Sequence, residues 1–145
     1  MVKRVFVFQM GDKKITDHKP YTDVILDSIV EGVFAVDCDW RITLFNRAAE
    51  KITGVPKEEA LGSTCRDVFH SNICDNNCIL RQSIKNNQPI TNKSIYIINA
   101  NEEQVPISIS AAPLKDEQGN IVGGIETFRD LSELMELRKQ LEKQY

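Results

Sequence analysis

The stretch Gln104–Ala112 constrains the fold most tightly, because Val105, Ile107, Ile109 and Ala111 alternate with Pro106, Ser108 and Ser110. A side-chain period of two marks an extended strand with one face in the core and one in water, and that half-buried state belongs to antiparallel sheets. Two β-prone runs flank it, Ser94–Ile98 and Ile121–Phe128, joined to it by the turn formers Asn99-Ala-Asn-Glu and Asp116-Glu-Gln-Gly-Asn120. The C-terminal half therefore predicts a three-strand meander. Upstream, Val33–Val36 and Ile42–Phe45 bracket Asp37-Cys38-Asp39 and predict a hairpin.

Helical signals fill the remaining spaces. Val24, Ile25 and Ile29 fall on one face of an N-terminal amphipathic helix that begins at Tyr21 and gives out at Gly32. Asn46 stops the second strand and suits the N-cap of Arg47–Ile52, with Gly54 as the left-handed end. Pro56 opens a further short turn, Lys57–Leu61. Thr64–Asn87, where Val68, Phe69, Ile73, Ile79, Leu80 and Ile84 interrupt a polar, cysteine-bearing stretch, reads as short helices and a loop over the core. This order closes as an α+β fold, a five-stranded antiparallel sheet with short helices on one face.

At 145 residues, 41% of them apolar, the chain fits one domain that can bury roughly two-thirds of its unfolded surface, so disulfides are not needed to hold it. Eighteen Lys plus Arg against 21 Asp plus Glu give a net charge of −3, without the basic excess that a phosphate backbone demands, so no direct nucleic-acid partner is expected. Val5–Phe8 is too short for a secretory core, and no window approaches the ~20 apolar residues of a membrane span. No membrane partner is expected, and the implied location is cytoplasmic. Cys38, Cys65, Cys74 and Cys78 are then read as thiols, thiolates or ligands.

Gly32-Val-Phe-Ala-Val-Asp37, Arg41-Ile-Thr-Leu-Phe-Asn46, Ala48-Ala-Glu50, Gly54 and Gly62 resemble the first half of a PAS sensory domain. Asp116–Asn120, Gly123-Gly124 and Phe128-Arg-Asp-Leu131 resemble the second half, and the likeness spans about Tyr21 to Ser132. It implies a cavity between sheet and helical layer in which a small molecule can sit. By strand pattern the lining would come from Phe34 or Ala35, Leu44, Ile95, Ile107 and Ile109, facing Phe69 from the helical layer. The alternative is that these side chains meet Phe69, Ile73 and Leu80 directly and fill the space.

Cys65-x8-Cys74-x3-Cys78 sets three soft ligands within 14 residues of a loop-rich stretch. A loop can wrap one ion without disturbing a sheet, and His70 offers a fourth donor, so zinc or an iron–sulfur cluster is a candidate cofactor. With Cys74 and Cys78, His70 would share one helix face if the segment were helical. Against this stand redox-responsive thiols and thiols that merely pack as small apolar groups. Cys38, alone in the hairpin turn, is read as a bystander. The segment resembles that of PAS domains N-terminal to bacterial transcription activators that work with the nitrogen-type sigma factor.

Leu131, Leu134, Leu137 and Leu141 recur at spacings of 3, 3 and 4 in a helix-forming tail free of Gly and Pro. The spacing predicts a coiled-coil seam through which two copies pair. The chain divides into a leader or extra strand over 1–20, a sensory domain over 21–130 and a linker helix over 131–145, with an output domain expected beyond residue 145. The reading is a non-enzymatic signal-input domain of a bacterial transcription regulator or other signalling protein, sensing redox state, a metal cofactor or a small ligand. The alternatives are a thiol-based redox enzyme or electron carrier, built on Cys65 or Cys74 with His70, and a plain dimerisation module.

Overall fold

The computed structural model describes residues 19–71 and 78–144. Of the leader expected over 1–20, residues 1–18 lie outside the described residues, as does Cys74, and α1 already begins at Lys19. In chain order the elements are α1 (Lys19–Asp27), β1 (Gly32–Asp37), β2 (Ile42–Phe45), α2 (Arg47–Thr53), α3 (Lys57–Ala60), α4 (Cys65–Phe69), α5 (Ile79–Asn86), β3 (Ile90–Ile98), β4 (Gln104–Lys115), β5 (Ile121–Asp130) and α6 (Ser132–Lys143). The strands form one antiparallel sheet in the order β2-β1-β5-β4-β3. The five-stranded α+β fold expected from the sequence is thus the fold observed.

The period-two face of β4 explains the layering. Val105, Ile107, Ile109 and Ala111 are buried, and Ile109 pairs with Phe128 while Ala111 pairs with Glu126 on β5. Glu126 in turn pairs with Phe34 on β1, so the inward residues of the three central strands form one continuous surface. Against it lie Ala49 of α2, Ala60 of α3, Val68 and Phe69 of α4, and Leu80 of α5.

Asn46 joins three parts of the fold. Its Oδ1 accepts from the backbone N–H of Val33 at 2.8 Å and of Ala49 at 3.0 Å, the second being the N-cap bond of α2. Its Nδ2 donates to the carbonyls of Leu26 at 2.9 Å and Glu31 at 3.0 Å. A buried side-chain amide with all four capacities used fixes where α1 leads into β1 and β2 into α2. Asn46→Asp keeps the cap and turns an anion toward two carbonyls. We expect a loss of roughly 2–4 kcal/mol, because two partly buried acceptors lose their donors and face a buried anion, read as a lower urea midpoint with unchanged slope. A loss under about 0.5 kcal/mol, the range of ordinary surface changes, would contradict these bonds.

Three features depart from the sequence reading. In the hairpin, Val36 pairs with Ile42 but Ala35 pairs with Leu44, leaving Thr43 as an extra residue. Such a bulge breaks the alternation of side chains, so Ile42 and Phe45 point into the core and Leu44 does not. Next, β3 begins at Ile90 rather than near Ser94, because pairing continues through an irregularity at which Asn92 takes a positive φ of 54° and its N–H meets Ser110 Oγ at 3.0 Å. No apolar alternation marks Thr91-Asn-Lys93, so composition could not reveal it. Lastly, α1 is a helix whose apolar Val24 and Ile25 remain exposed, as does Ile29 just beyond it.

Candidate functional site

The aromatic centre of the core is built from both layers. The Phe69 ring, from α4, stacks on Phe34 at 4.4 Å between centroids and meets Phe128 edge-on at 5.3 Å. Phe34 and Phe128 also meet edge to face at 6.1 Å. These rings pack against one another between the layers, and a cavity of about 30 Å³ lies beside Phe34 and Phe69. A water needs roughly 10–15 Å³ of such volume, so the cavity has room for one or two small groups.

Phe34, Phe69, Ile95, Ile107 and Ile109 all line this cavity. Leu44 does not: the bulge at Thr43 turns it to the other side of β2, where it lines a separate groove with Leu26 of α1 and Leu61. Expecting Leu44 in the lining assumed an unbroken alternation along β2.

The cysteine segment is drawn together only in part. Cys65, at the start of α4, and Cys78, before α5, are half-buried and line the same cavity. The helix ends at Phe69, and His70 takes the left-handed conformation at φ 45° and is exposed. A positive φ ends the helix there; the helix face expected to join His70 with Cys74 and Cys78 runs through residues outside the described ones. Cys38 is exposed in the hairpin turn, its Sγ 3.9 Å from the Ile121 carbonyl, outside the cavity lining. Among the described residues no three His, Cys, Asp or Glu side chains are grouped as a metal ion requires. The zinc or iron–sulfur expectation depends on Cys74, outside the described residues.

The residue that sequence reasoning missed is Glu126. It lines the cavity from the middle of β5 with 7% of its surface exposed, and among the described residues its carboxyl has no hydrogen-bond or ion-pair partner. Among the described residues, Ser71 and the thiols of Cys65 and Cys78 are the other polar groups of the lining, and no basic side chain belongs to it. Burial penalises the charged form and pushes the carboxyl from its ordinary value up to about 8, so it is neutral at pH 7. The signal was present in the sequence: counting by twos from Phe128 places Glu126 on the core face.

The exit from the sheet is equally defined. β5 runs through Asp130 into α6, and the junction is held by the Leu131 N–H donating to the Pro106 carbonyl of β4 at 2.9 Å and by the Ser132 N–H donating to Asp130 Oδ1 at 2.8 Å. Along α6, Leu134, Leu137 and Leu141 are 56%, 51% and 58% exposed. Among the described residues no helix is long and apolar enough to cross a membrane.

A family model described as PAS domain matches residues 30–133. The sensor histidine kinase DcuS of Escherichia coli K12 is 30% identical over 145 residues, 97% of this chain and 24% of that protein. The probable diguanylate cyclase DgcE of the same strain is 26% identical over 132 residues, 90% of this chain and 12% of its own length. The chain therefore spans a quarter or less of these curated relatives. Among solved structures, the PAS domain of a protein from Colwellia psychrerythraea superposes with a TM-score of 0.67 at 17% identity, over 81% of this chain and 99% of that one.

Proposed function

Because the chain belongs to the PAS domain family, we propose that it is the sensory input module of a longer signalling protein, taking its signal at the Glu126 cavity and passing it through β5 into α6. One observation carries this reading: among the described residues, the one carboxyl lining the cavity sits on the strand that leads into the exposed leucine helix. A change of occupant or charge at Glu126 acts on β5 between β1 and β4, and two arrangements of α6 on that strand can be biased by it. The cysteine spacing, which resembles that of domains preceding nitrogen-type sigma-factor activators, supports a transcription regulator as the longer protein.

Filling the cavity tests the reading. In the full-length protein, Ile95→Phe is expected to hold the output at one extreme and abolish its response. An output with unchanged basal level and response would reject it.

Pairing of two copies through Leu131, Leu134, Leu137 and Leu141 belongs to the same proposal, supported by the exposure of the last three. An isolated helix of 12 residues is marginal in water and gains from a partner. Light scattering should give a dimer for the full chain and a monomer for one ending at Arg129, and equal subunit numbers would refute the helix as the seam.

A second reading has its own support, since Cys65 and Cys78 line the cavity together. It makes oxidation of these thiols the signal. It requires that Cys65→Ser with Cys78→Ser removes the output's response to a mild oxidant, and a retained response excludes it.

A further inference from the structure

We propose that the cavity beside Glu126 binds a compact organic cation, a protonated amine with a small apolar body, with the Glu126 carboxylate as its counter-charge. The inference rests on the reading of this cavity as the input site and adds the chemistry of what enters. Three observations support it.

The first is the missing partner. A carboxyl more than nine-tenths buried normally meets donors, because an unpaired polar group in an apolar interior is costly and an unpaired charge far more so. Among the described residues Glu126 meets none, although the chain carries 18 Lys and Arg elsewhere. A ligand that brings both an N–H donor and a positive charge supplies what the wall lacks. An anion could accept from the protonated acid, but it would oppose ionisation of the carboxyl and meet no basic side chain among the described lining residues.

The second is the rest of the wall. Phe34 and Phe69 flank the cavity, and most of what remains is isoleucine. Aromatic faces attract cations, more strongly where water is excluded, while aliphatic walls reward an apolar body rather than a bare hydrated ion. The third is size. A volume of about 30 Å³ takes a group of one or two heavy atoms without moving the rings, which sets methylammonium as the probe.

Proton linkage gives the proposal a signature. The carboxyl, raised to about 8 by burial, holds its proton at pH 7. Binding RNH3+ converts the neutral acid to carboxylate, and that proton passes to the solvent. Methylammonium remains protonated at both pH 7 and pH 9, so its affinity should be roughly tenfold higher at pH 9.

The test is calorimetric titration of the full chain with methylammonium chloride at pH 7 and pH 9 and matched ionic strength, with methanol and formate as neutral and anionic probes of similar size. Saturable methylammonium binding is expected, tighter at pH 9, and lost in a Glu126→Gln chain that still melts cooperatively. Methanol or formate binding as tightly as methylammonium would overturn the cation assignment. So would binding retained by Glu126→Gln, or no saturable methylammonium binding to the folded chain. If the cation assignment fails while Ile95→Phe still locks the output, the input-site reading stands with another ligand; if both fail, both are withdrawn.

Discussion

Between pH 5 and pH 8 the buried Glu126 is expected to cost the domain a growing amount of stability, and Glu126→Gln is expected to abolish that component. The unfolded chain carries Glu126 at its ordinary value of 4.5, whereas burial holds it at about 8 in the fold. Below pH 4.5 both states keep the proton and burial carries no penalty from ionisation. Above it the unfolded chain releases the proton and the folded chain does not, so the unfolded state gains. The effect grows by about 1.4 kcal/mol per pH unit until the folded carboxyl also ionises near 8, and the sum is on the order of 3–5 kcal/mol. Domains of this kind have roughly 5–15 kcal/mol in all.

Gln at the same position cannot ionise, and its unpaired amide imposes a penalty that does not vary with pH. Other carboxylates contribute to both curves and cancel in their difference. Urea unfolding of the two proteins at pH 5, 6.5 and 8 should therefore show the variant gaining steadily on the native sequence. Parallel profiles would mean that Glu126 ionises in the fold as it does in water.

The second large effect separates two adjacent glycines. A Cβ on Gly123 would lie inside the contact distance of the Val36 carbonyl oxygen and close to the Asp37 backbone, where β5 pairs with β1. Backbone in a central strand pair cannot give way without losing the pairing. A Cβ on Gly124 would instead meet side-chain methyls, Leu80 Cδ1 at 2.6 Å and Ile84 Cδ1 at 3.1 Å. Those can turn aside. Gly123→Ala is expected to cost about 3 kcal/mol or more and Gly124→Ala about 1–2 kcal/mol, in line with overpacking of rigid and yielding sites. Denaturant midpoints check the order, and a milder effect at Gly123 would contradict the close approach of β1 to β5.

The contrast between these glycines shows where a sequence speaks plainly. Strand periodicity in Val105–Ala111, the Asn46 cap and the turn at Asp116–Asn120 are local patterns with local causes, and all three appear in the structure. In that turn Asp116 Oδ1 accepts from the Gln118 and Asn120 N–H groups at 2.9 Å each. What the sequence hid depends on partners far along the chain. One extra residue at Thr43 turned Leu44 out of the lining, and nothing in Ile42-Thr-Leu-Phe45 announces it. Phe69 was legible as a core residue, but its stacking on Phe34 requires the helical layer to be in place.

Composition points the other way at Glu126, because a glutamate between Ile125 and Thr127 reads as the solvent face of a strand. The period of two counted from Phe128 gives its face, and the depth of its burial follows from β5 being flanked by β1 and β4. The cysteines were legible as a cluster in sequence. In space Cys65 and Cys78 share the cavity, while His70 is turned away by the left-handed end of α4.

Hydrogen exchange of the β5–α6 junction, compared between the native chain and Ile95→Phe, tests the central claim most directly. The substitution adds bulk at the cavity, on β3, far in sequence from α6. Ile95 also borders the groove under α6 with Leu131, Leu134 and Met135, so coupling through β5 requires that protection change at 126–130 of β5 together with 131–137. Changes confined to the cavity lining, with the amides of 131–137 exchanging as before, would show that the helix does not respond to the cavity.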